Sequence, residues 1–187
     1  MEPLHSSHPE LPTARAVARH YLGDLVYGAN DGIITTFAIV AGVAGAALSA
    51  QVVIILGVAN LLADGFSMGA SNFLSIRSRS AMETSDGVPV SEPFALRHGL
   101  ATVLAFVVAG VVPLLAYVLP VPDADRFPVA TVLTLGILFI VGASRTLVTG
   151  GRWFVNGIEM LAIGALAAAV AYGIGRFLAG VTGGAAA

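Results

Sequence analysis

Five stretches of the sequence are apolar for about twenty residues each, the length of an α-helix that crosses a bilayer. They cover approximately residues 31–50, 52–76, 98–119, 128–149 and 157–178. Hydrophobic residues make up 57% of the chain and charged residues only 11%, against about 25% in soluble domains. The sequence therefore predicts an all-α membrane protein with five transmembrane helices.

The predicted transmembrane domain occupies residues 15–178, and its first span is preceded by an amphipathic piece from Arg15 to Tyr27. A polar N-terminal tail, residues 1–14, and a C-terminal tail, residues 179–187, flank this domain. The only sizeable predicted connection is a cytoplasmic loop, residues 78–96, which is too short and too poor in apolar residues to fold as a domain.

The arginines predict the orientation of the chain. With the N-terminus in the cytoplasm, only Arg126 and Arg176 fall outside, and the other seven fall inside: Arg15, Arg19, Arg77, Arg79, Arg97, Arg145 and Arg152. This distribution follows the positive-inside rule, so we expect a cytoplasmic N-terminus and a C-terminus outside. A short chain with no lysine and no targeting signal suggests the inner membrane of a bacterium. The net charge of −2 disfavours a nucleic-acid partner.

Three carboxylates lie inside the apolar stretches: Asp31, Asp64 and Glu159. A charged side chain at the centre of a bilayer costs about 2.5–3.5 kcal/mol on insertion scales, so each is a candidate functional residue. Together they indicate a pathway for a cation. Glu159 has an alternative interpretation, because near the inner end of its span it could pair with Arg145 or Arg152.

Polar residues recur at helical spacing on the first two spans, which places them on one face of each helix. On the second span these are Gly57, Asn60, Asp64, Ser67, Ser71 and Ser75, with Met68 and Asn72 alongside; on the first they are Asp24, Asp31 and Thr35, together with small residues. Lipid cannot satisfy such faces, so they must contact protein or water. If they meet, carboxylates, hydroxyls, an amide and a thioether line one crevice.

This set of donors suits a divalent transition metal. Oxygen ligands alone would accept magnesium and calcium, whereas a methionine thioether adds a soft ligand that these ions do not favour. Other interpretations stay open: Met68 as packing, Asn60 and the serines as interhelical hydrogen-bonding groups, and Asp24 as a solvated residue of the lead-in helix. For His20 and His98, near the inner membrane face, a role in proton transfer is open.

The same segments resemble a known family. The run from Asp24 to Gly32, with Thr36-Phe37-Ala38 and Ala41-Gly42, is similar to the first-helix signature of the vacuolar iron transporter family. Ser67-Met68-Gly69 and Phe73-Leu74-Ser75 resemble its second-helix signature, and Gly110–Pro113 and Gly157–Gly175 resemble its third and fifth helices. The resemblance covers nearly the whole chain, from about Arg19 to Leu178.

The resemblance implies a five-helix protomer that forms a two-fold dimer, with a cation pathway at the interface built largely by the first two helices. Members of this family move ferrous iron, and often manganese, out of the cytoplasm in exchange for protons. The pathway aspartate of the family falls on Asp31 and its methionine on Met68. We expect Asp64 and Asn60 to line the same path, and Asp24 and Glu159 to be candidates for a proton or metal relay.

The chain also departs from the family pattern. The plant transporters carry a long glutamate-rich insertion between helices two and three that gathers iron, whereas this chain has only the loop of residues 78–96, as in the short nodulin-like branch. Several of those relatives carry an acid at the position of Asn72. In the loop, Glu83, Asp86 and Glu92 are either a loose funnel for metal or a solvated segment.

We therefore predict a transporter that exports Fe2+, Mn2+ or both by proton antiport, with the metal as cargo and no permanently bound cofactor. The expected partners are the bilayer and a second copy of the chain, and the cytoplasmic metal donor is left open. The alternatives are a passive divalent-cation channel and a non-transporting scaffold that binds a partner. An enzyme is disfavoured, because no histidine accompanies the carboxylates at bilayer depth.

Overall fold

The computed structural model describes residues 14–85 and 94–183, and within these ranges the chain forms helices and no strand. The helices are α1 (Ala14–Gly45), α2 (Ala50–Ser85), α3 (Ala95–Gly110), α4 (Leu115–Val118), α5 (Arg126–Ser144), α6 (Thr146–Thr149) and α7 (Trp153–Val181). Two 3-10 turns, Val112–Leu114 and Asp123–Asp125, lie between them.

Five helical segments are long and apolar enough to cross a membrane: His20–Gly45, Ala50–Met82, Ala95–Val118, Asp123–Ser144 and Trp153–Val181. The third contains Pro113, where the α-helix gives way to a 3-10 turn before α4, as expected for a residue that lacks an amide hydrogen. The prediction of an all-α chain with five spanning helices is confirmed.

The helix bounds differ from the predicted ones at several ends: the first span ends at Gly45 and not at residue 50, and the fourth ends at Ser144 and not at residue 149. The lead-in piece and the first span form one continuous helix, Ala14–Gly45, because Asp24 and Asp31 interrupt the hydropathy of the segment but not its backbone. The predicted loop is also shorter than residues 78–96, since α2 continues to Ser85 and α3 begins at Ala95. A helix that leaves the apolar layer needs no apolar face, so the hydropathy pattern ends before the helix does.

The spanning helices alternate in direction. Asp24 pairs with Asn72 and Thr35 with Asn60, so α1 and α2 are antiparallel. The starts of α1, α3 and α7 and the ends of α2 and α5 therefore lie at one end of the bundle. Five arginines whose side chains the structure describes lie at this end, which we call the arginine-rich end: Arg77, Arg79, Arg97, Arg145 and Arg152.

Helix α1 packs against α3 with the two backbones almost in contact. A Cβ atom added at Gly28 would lie 2.5 Å from the carbonyl oxygen of Thr102, and one at Gly32 would collide with the backbone of Phe106. Small residues allow this close approach, as in many membrane helix pairs. The contact fixes the side chains of α1 and α3 relative to each other.

Large apolar side chains cover the outside of the bundle, which is the surface expected of helices that face lipid. Examples with at least half of their surface exposed are Ile55, Phe66, Val132, Leu166 and Phe177. The buried core lies inside them and includes Phe37, Val40, Phe106 and Leu114. The polar residues of α1 and α2 lie between this lipid-facing surface and the buried core.

Candidate functional site

The polar faces of α1 and α2 meet along an antiparallel contact, which we call the α1–α2 seam: Asp24, Asp31 and Thr35 on α1, and Asn60, Asp64, Met68 and Asn72 on α2. At one end, the side-chain amide of Asn72 donates to Oδ1 of Asp24 at 2.8 Å. At the other, the amide of Asn60 donates to the hydroxyl oxygen of Thr35 at 3.4 Å. The residues between these two bonds are held at corresponding heights on the two helices.

Two carboxylates occupy the middle of the seam. Asp31 is half-buried, and it lies close enough to Asp64 for the two side chains to interact electrostatically. The hydroxyl of Thr35 donates to the backbone carbonyl of Asp31 at 2.8 Å. Like charges at close range favour binding of a proton or a cation between them, because either relieves the repulsion.

A surface cavity of about 480 Å³ begins at Tyr27 and Met68, one helical turn from Asp31 and Asp64 respectively, on the side of the arginine-rich end. Met68 and Asn72 of the seam line it, together with Tyr27, Ser67, Ser71, Ser75 and Arg79. Thioether, hydroxyl and amide groups therefore follow one another along α2 from the depth of Asp64 to the helix end. Apart from the guanidinium of Arg79 at its outer end, the side chains that line this cavity are neutral.

The structure places the remaining candidates away from the centre of the seam. Glu159 lies on α7, exposed, with Oε2 at 3.3 Å from Nη1 of Arg145, which is the pairing that its alternative interpretation proposed. Glu83 falls in the last turn of α2, within a helix rather than a loop. Asp86 and Glu92 lie outside the described residues.

One side of the seam is uncovered in the single chain. Asp64, Ser67 and Ser71 are exposed on α2 although they lie within a segment that spans the membrane. Within residues 14–85 and 94–183, no group of three or more histidine, aspartate or glutamate side chains is arranged to hold a metal ion. One chain therefore presents an open wall of polar side chains and not a closed site.

A second polar cluster, which the sequence did not predict, adjoins Asp24. Nδ1 of His98 lies 2.5 Å from Oδ2 of Asp24, and Nε2 of His98 lies 2.9 Å from Nε2 of His20. The amide of Asn72 also donates to the hydroxyl of Thr102 at 2.8 Å. We call these residues the imidazole cluster: His20, Asp24, Asn72, His98 and Thr102.

Part of the imidazole cluster could be predicted from residue spacing in the sequence. His20 and Asp24 are four residues apart on α1, and His98 and Thr102 are four apart on α3, so each pair shares a helix face. Nothing in the spacing says that these two faces meet. Their contact depends on the parallel packing of α1 and α3, which Gly28 and Gly32 make possible.

Comparison with known proteins identifies the family of the chain. The VIT family matches residues 22–88 and 81–176. Vacuolar iron transporter 2 of Oryza sativa subsp. japonica is 28% identical over 82% of this chain and 85% of its own length. Vacuolar iron transporter 1 of the same plant is 24% identical over 92% and 90%, respectively, and vacuolar iron transporter 1 of Arabidopsis thaliana is 24% identical over 80% and 82%. The chain is an integral membrane protein, and it belongs to the VIT family.

Proposed function

We propose that this protein transports Fe2+, Mn2+ or both out of the cytoplasm, in exchange for protons. The proposal is supported by relatives named vacuolar iron transporters and by the composition of the α1–α2 seam. The observation that carries it is the pair of carboxylates, Asp31 and Asp64, that interact within a membrane-spanning segment next to a cavity lined by Met68.

The carboxylate pair provides a means of exchange. When Asp31 and Asp64 are both ionised, their repulsion in a poorly solvated site favours a divalent cation. When the cation leaves, a proton relieves the same repulsion. Binding of metal and binding of protons are then mutually exclusive at one place, which is the property that an antiporter needs.

Met68 gives this site a preference among metals. The thioether is a soft ligand, so it favours Fe2+ and Mn2+ over Mg2+ and Ca2+, which are hard ions with little affinity for sulfur. Asn60, one helical turn beyond Asp64, adds an amide to the path. No covalent cofactor takes part, and the metal is the cargo.

The uncovered side of the seam supports a homodimer. Asp64, Ser67 and Ser71 would be costly to expose to hydrocarbon, so a second copy that brings its own seam opposite would cover them and complete the ligand set. A two-fold arrangement would place the pathway between α1 and α2 of each copy.

We assign the arginine-rich end to the cytoplasm by the positive-inside rule, in a bacterial inner membrane. Metal would then enter the seam from the side of Ser75 and Arg79 and leave past Asn60.

The test is transport by purified protein in liposomes that enclose a dye sensitive to Fe2+ and Mn2+, under an imposed pH gradient. We expect uptake of both metals, little uptake of Mg2+, and faster uptake when a gradient drives protons the opposite way. The variants Asp31→Asn and Asp64→Asn should lose transport. Asp125→Asn, in an exposed turn outside the seam, is the matched control and should retain it.

Each alternative predicts a different result. Uptake that needs Asp31 but ignores the pH gradient would identify a passive channel and reject proton exchange. Absence of metal uptake by folded wild-type protein, or normal uptake by Asp31→Asn, would reject the proposed pathway and favour a scaffold.

A further inference from the structure

We propose that His20, His98 and Asp24 conduct the exchanged proton between the α1–α2 seam and the aqueous surface at the arginine-rich end. The inference rests on the proposed function, because it names the residues that would carry the counter-ion. Its basis is the unbroken series of contacts in the imidazole cluster.

The two imidazoles share one hydrogen bond. Nε2 of His20 and Nε2 of His98 lie 2.9 Å apart, a distance that requires one proton between the two nitrogens, carried by one of them and accepted by the other. The other ring nitrogen of His98, Nδ1, is hydrogen-bonded to Oδ2 of Asp24. His98 therefore has a proton-transfer partner on each side of its ring.

Transfer along this series is balanced. Asp24 in its protonated form gives its proton to Nδ1 of His98, while the proton on Nε2 of His98 passes to Nε2 of His20. The imidazolium of His20 then releases the proton on Nδ1 to water. Asp24 is left as a carboxylate and His98 remains neutral, so one proton has moved outward from the seam. The reverse sequence protonates Asp24.

The imidazole cluster extends from the α1–α2 seam to the aqueous surface. His98 is 7% exposed, whereas His20 is exposed, so the series runs from the interior to the surface. Asp24 contacts the seam through its second oxygen, which accepts from Asn72, and Asn72 lines the cavity beside Met68. Asp24 also lies two helical turns before Asp31 on the same side of α1.

The groups around the cluster are consistent with a conducting role. Besides His20 and Asp24, α1 contributes Tyr21, whose ring centroid lies 4.7 Å from that of His98. Helix α3 contributes His98 itself, and α2 contributes the uncharged amide of Asn72. A neutral imidazole has one nitrogen that donates and one that accepts, which suits a group that must take up and release a proton in one transport cycle.

The test is the number of protons countertransported per metal ion, measured in liposomes that enclose both a pH dye and a metal dye. The variants are His98→Gln and His20→Gln, because glutamine retains hydrogen-bonding groups but cannot carry a proton. We expect Mn2+ uptake down its own gradient to stay within about threefold of wild type, while the proton-to-metal ratio falls about tenfold or more. His5→Gln, in the N-terminal tail, is the matched control and should keep the wild-type ratio.

The ratio separates conduction from a purely structural role. If the imidazole cluster only stabilised the fold, the variants would lower proton and metal fluxes together and leave the ratio unchanged, which would overturn the inference. If wild-type protein moved metal with no proton counterflux, the antiport proposal would fail first, before any variant was compared. Should the buried His98→Gln variant not fold, His20→Gln at its exposed position decides the question alone.

Discussion

Helix α1 makes two very different contacts, one with α3 and one with α2. Towards α3, its backbone at Gly28 and Gly32 is almost in contact with the backbone of the neighbouring helix. Towards α2, the contact includes hydrogen bonds between polar side chains, and the seam is exposed along one side. A single helix therefore has one face that is rigidly packed and one that is polar and accessible.

Under the proposed function, the face towards α3 supports the fold and the face towards α2 carries transport. The close contact with α3 has little freedom to change, because either backbone would have to move. The contact with α2 uses hydrogen bonds and mutually repelling carboxylates, which can exchange partners when an ion binds. We expect substitutions on the first face to change folding and substitutions on the second to change transport.

The largest expected effect is on the packed face. The variant Gly32→Leu places a side chain against the backbone of Phe106, so it should destabilise the protein by about 3 kcal/mol or prevent its folding. Thermal stability in detergent measures this. Gly23→Ala, at a position on the same helix where an added Cβ would meet nothing within 4 Å, should be tolerated. Equal stability of the two variants would contradict the close contact.

The second effect is on the polar face. The variant Asp31→Asn should reduce metal transport about tenfold or more without lowering thermal stability, because it removes a charge that Asp64 repels. Transport in liposomes and melting temperature in detergent are measured on the same preparation. A variant that loses stability and transport in parallel would show that Asp31 supports the fold instead.

A third prediction concerns selectivity. The variant Met68→Ala should lower the preference for Fe2+ and Mn2+ over Mg2+ about threefold to tenfold, since it removes the soft ligand but leaves the carboxylates. Competition between Mn2+ and Mg2+ in the liposome assay measures this ratio. Met82→Ala, exposed near the end of the same helix, is the control. An unchanged selectivity ratio would show that Met68 only packs against its neighbours.

The smallest effect is expected at the far end of the seam. The bond from Asn60 to Thr35 is long, at 3.4 Å, so Asn60→Ala should cost only about 0.5 kcal/mol of stability and change transport less than about threefold. The contribution of this hydrogen bond is measured by the unfolding and the metal uptake of the variant. A loss as large as that of Asp31→Asn would make Asn60 a principal ligand.

Much of the fold could be predicted from the sequence, because apolar length determines which segments span a membrane. The number of spans followed from this rule alone, and the helix bounds did not. Hydropathy falls at Asp24 and Asp31, yet α1 continues through both residues, since a carboxylate does not break a helix. In the same way, α2 continues to Ser85 after its apolar pattern has ended.

The candidate site, like the fold, could be predicted only in part. Helical periodicity predicted the face of α1 that carries Asp31 and the face of α2 that carries Asp64 and Met68. Residues i and i+4 lie on the same face of any α-helix, so this step needs no knowledge of the fold. Which faces meet depends on tertiary packing, so the contact between Asp24 and His98, on helices one and three, could not be derived from spacing. Glu159 illustrates the opposite case: its depth suggested function, and the structure places it in an exposed ion pair.

The central claim is that the α1–α2 seam is the path of the metal. The chain contains no cysteine, so single cysteines can be introduced at Ser67, Ser71 and Ser75 and, for comparison, at the exposed apolar positions Val132 and Leu166. The measurement is the rate at which a membrane-impermeant thiol reagent modifies each cysteine in liposomes, with and without Mn2+. The account predicts that the three seam cysteines react and that Mn2+ slows them, whereas the two lipid-facing cysteines do neither. Seam cysteines that do not react, or that react equally with and without Mn2+, would contradict it.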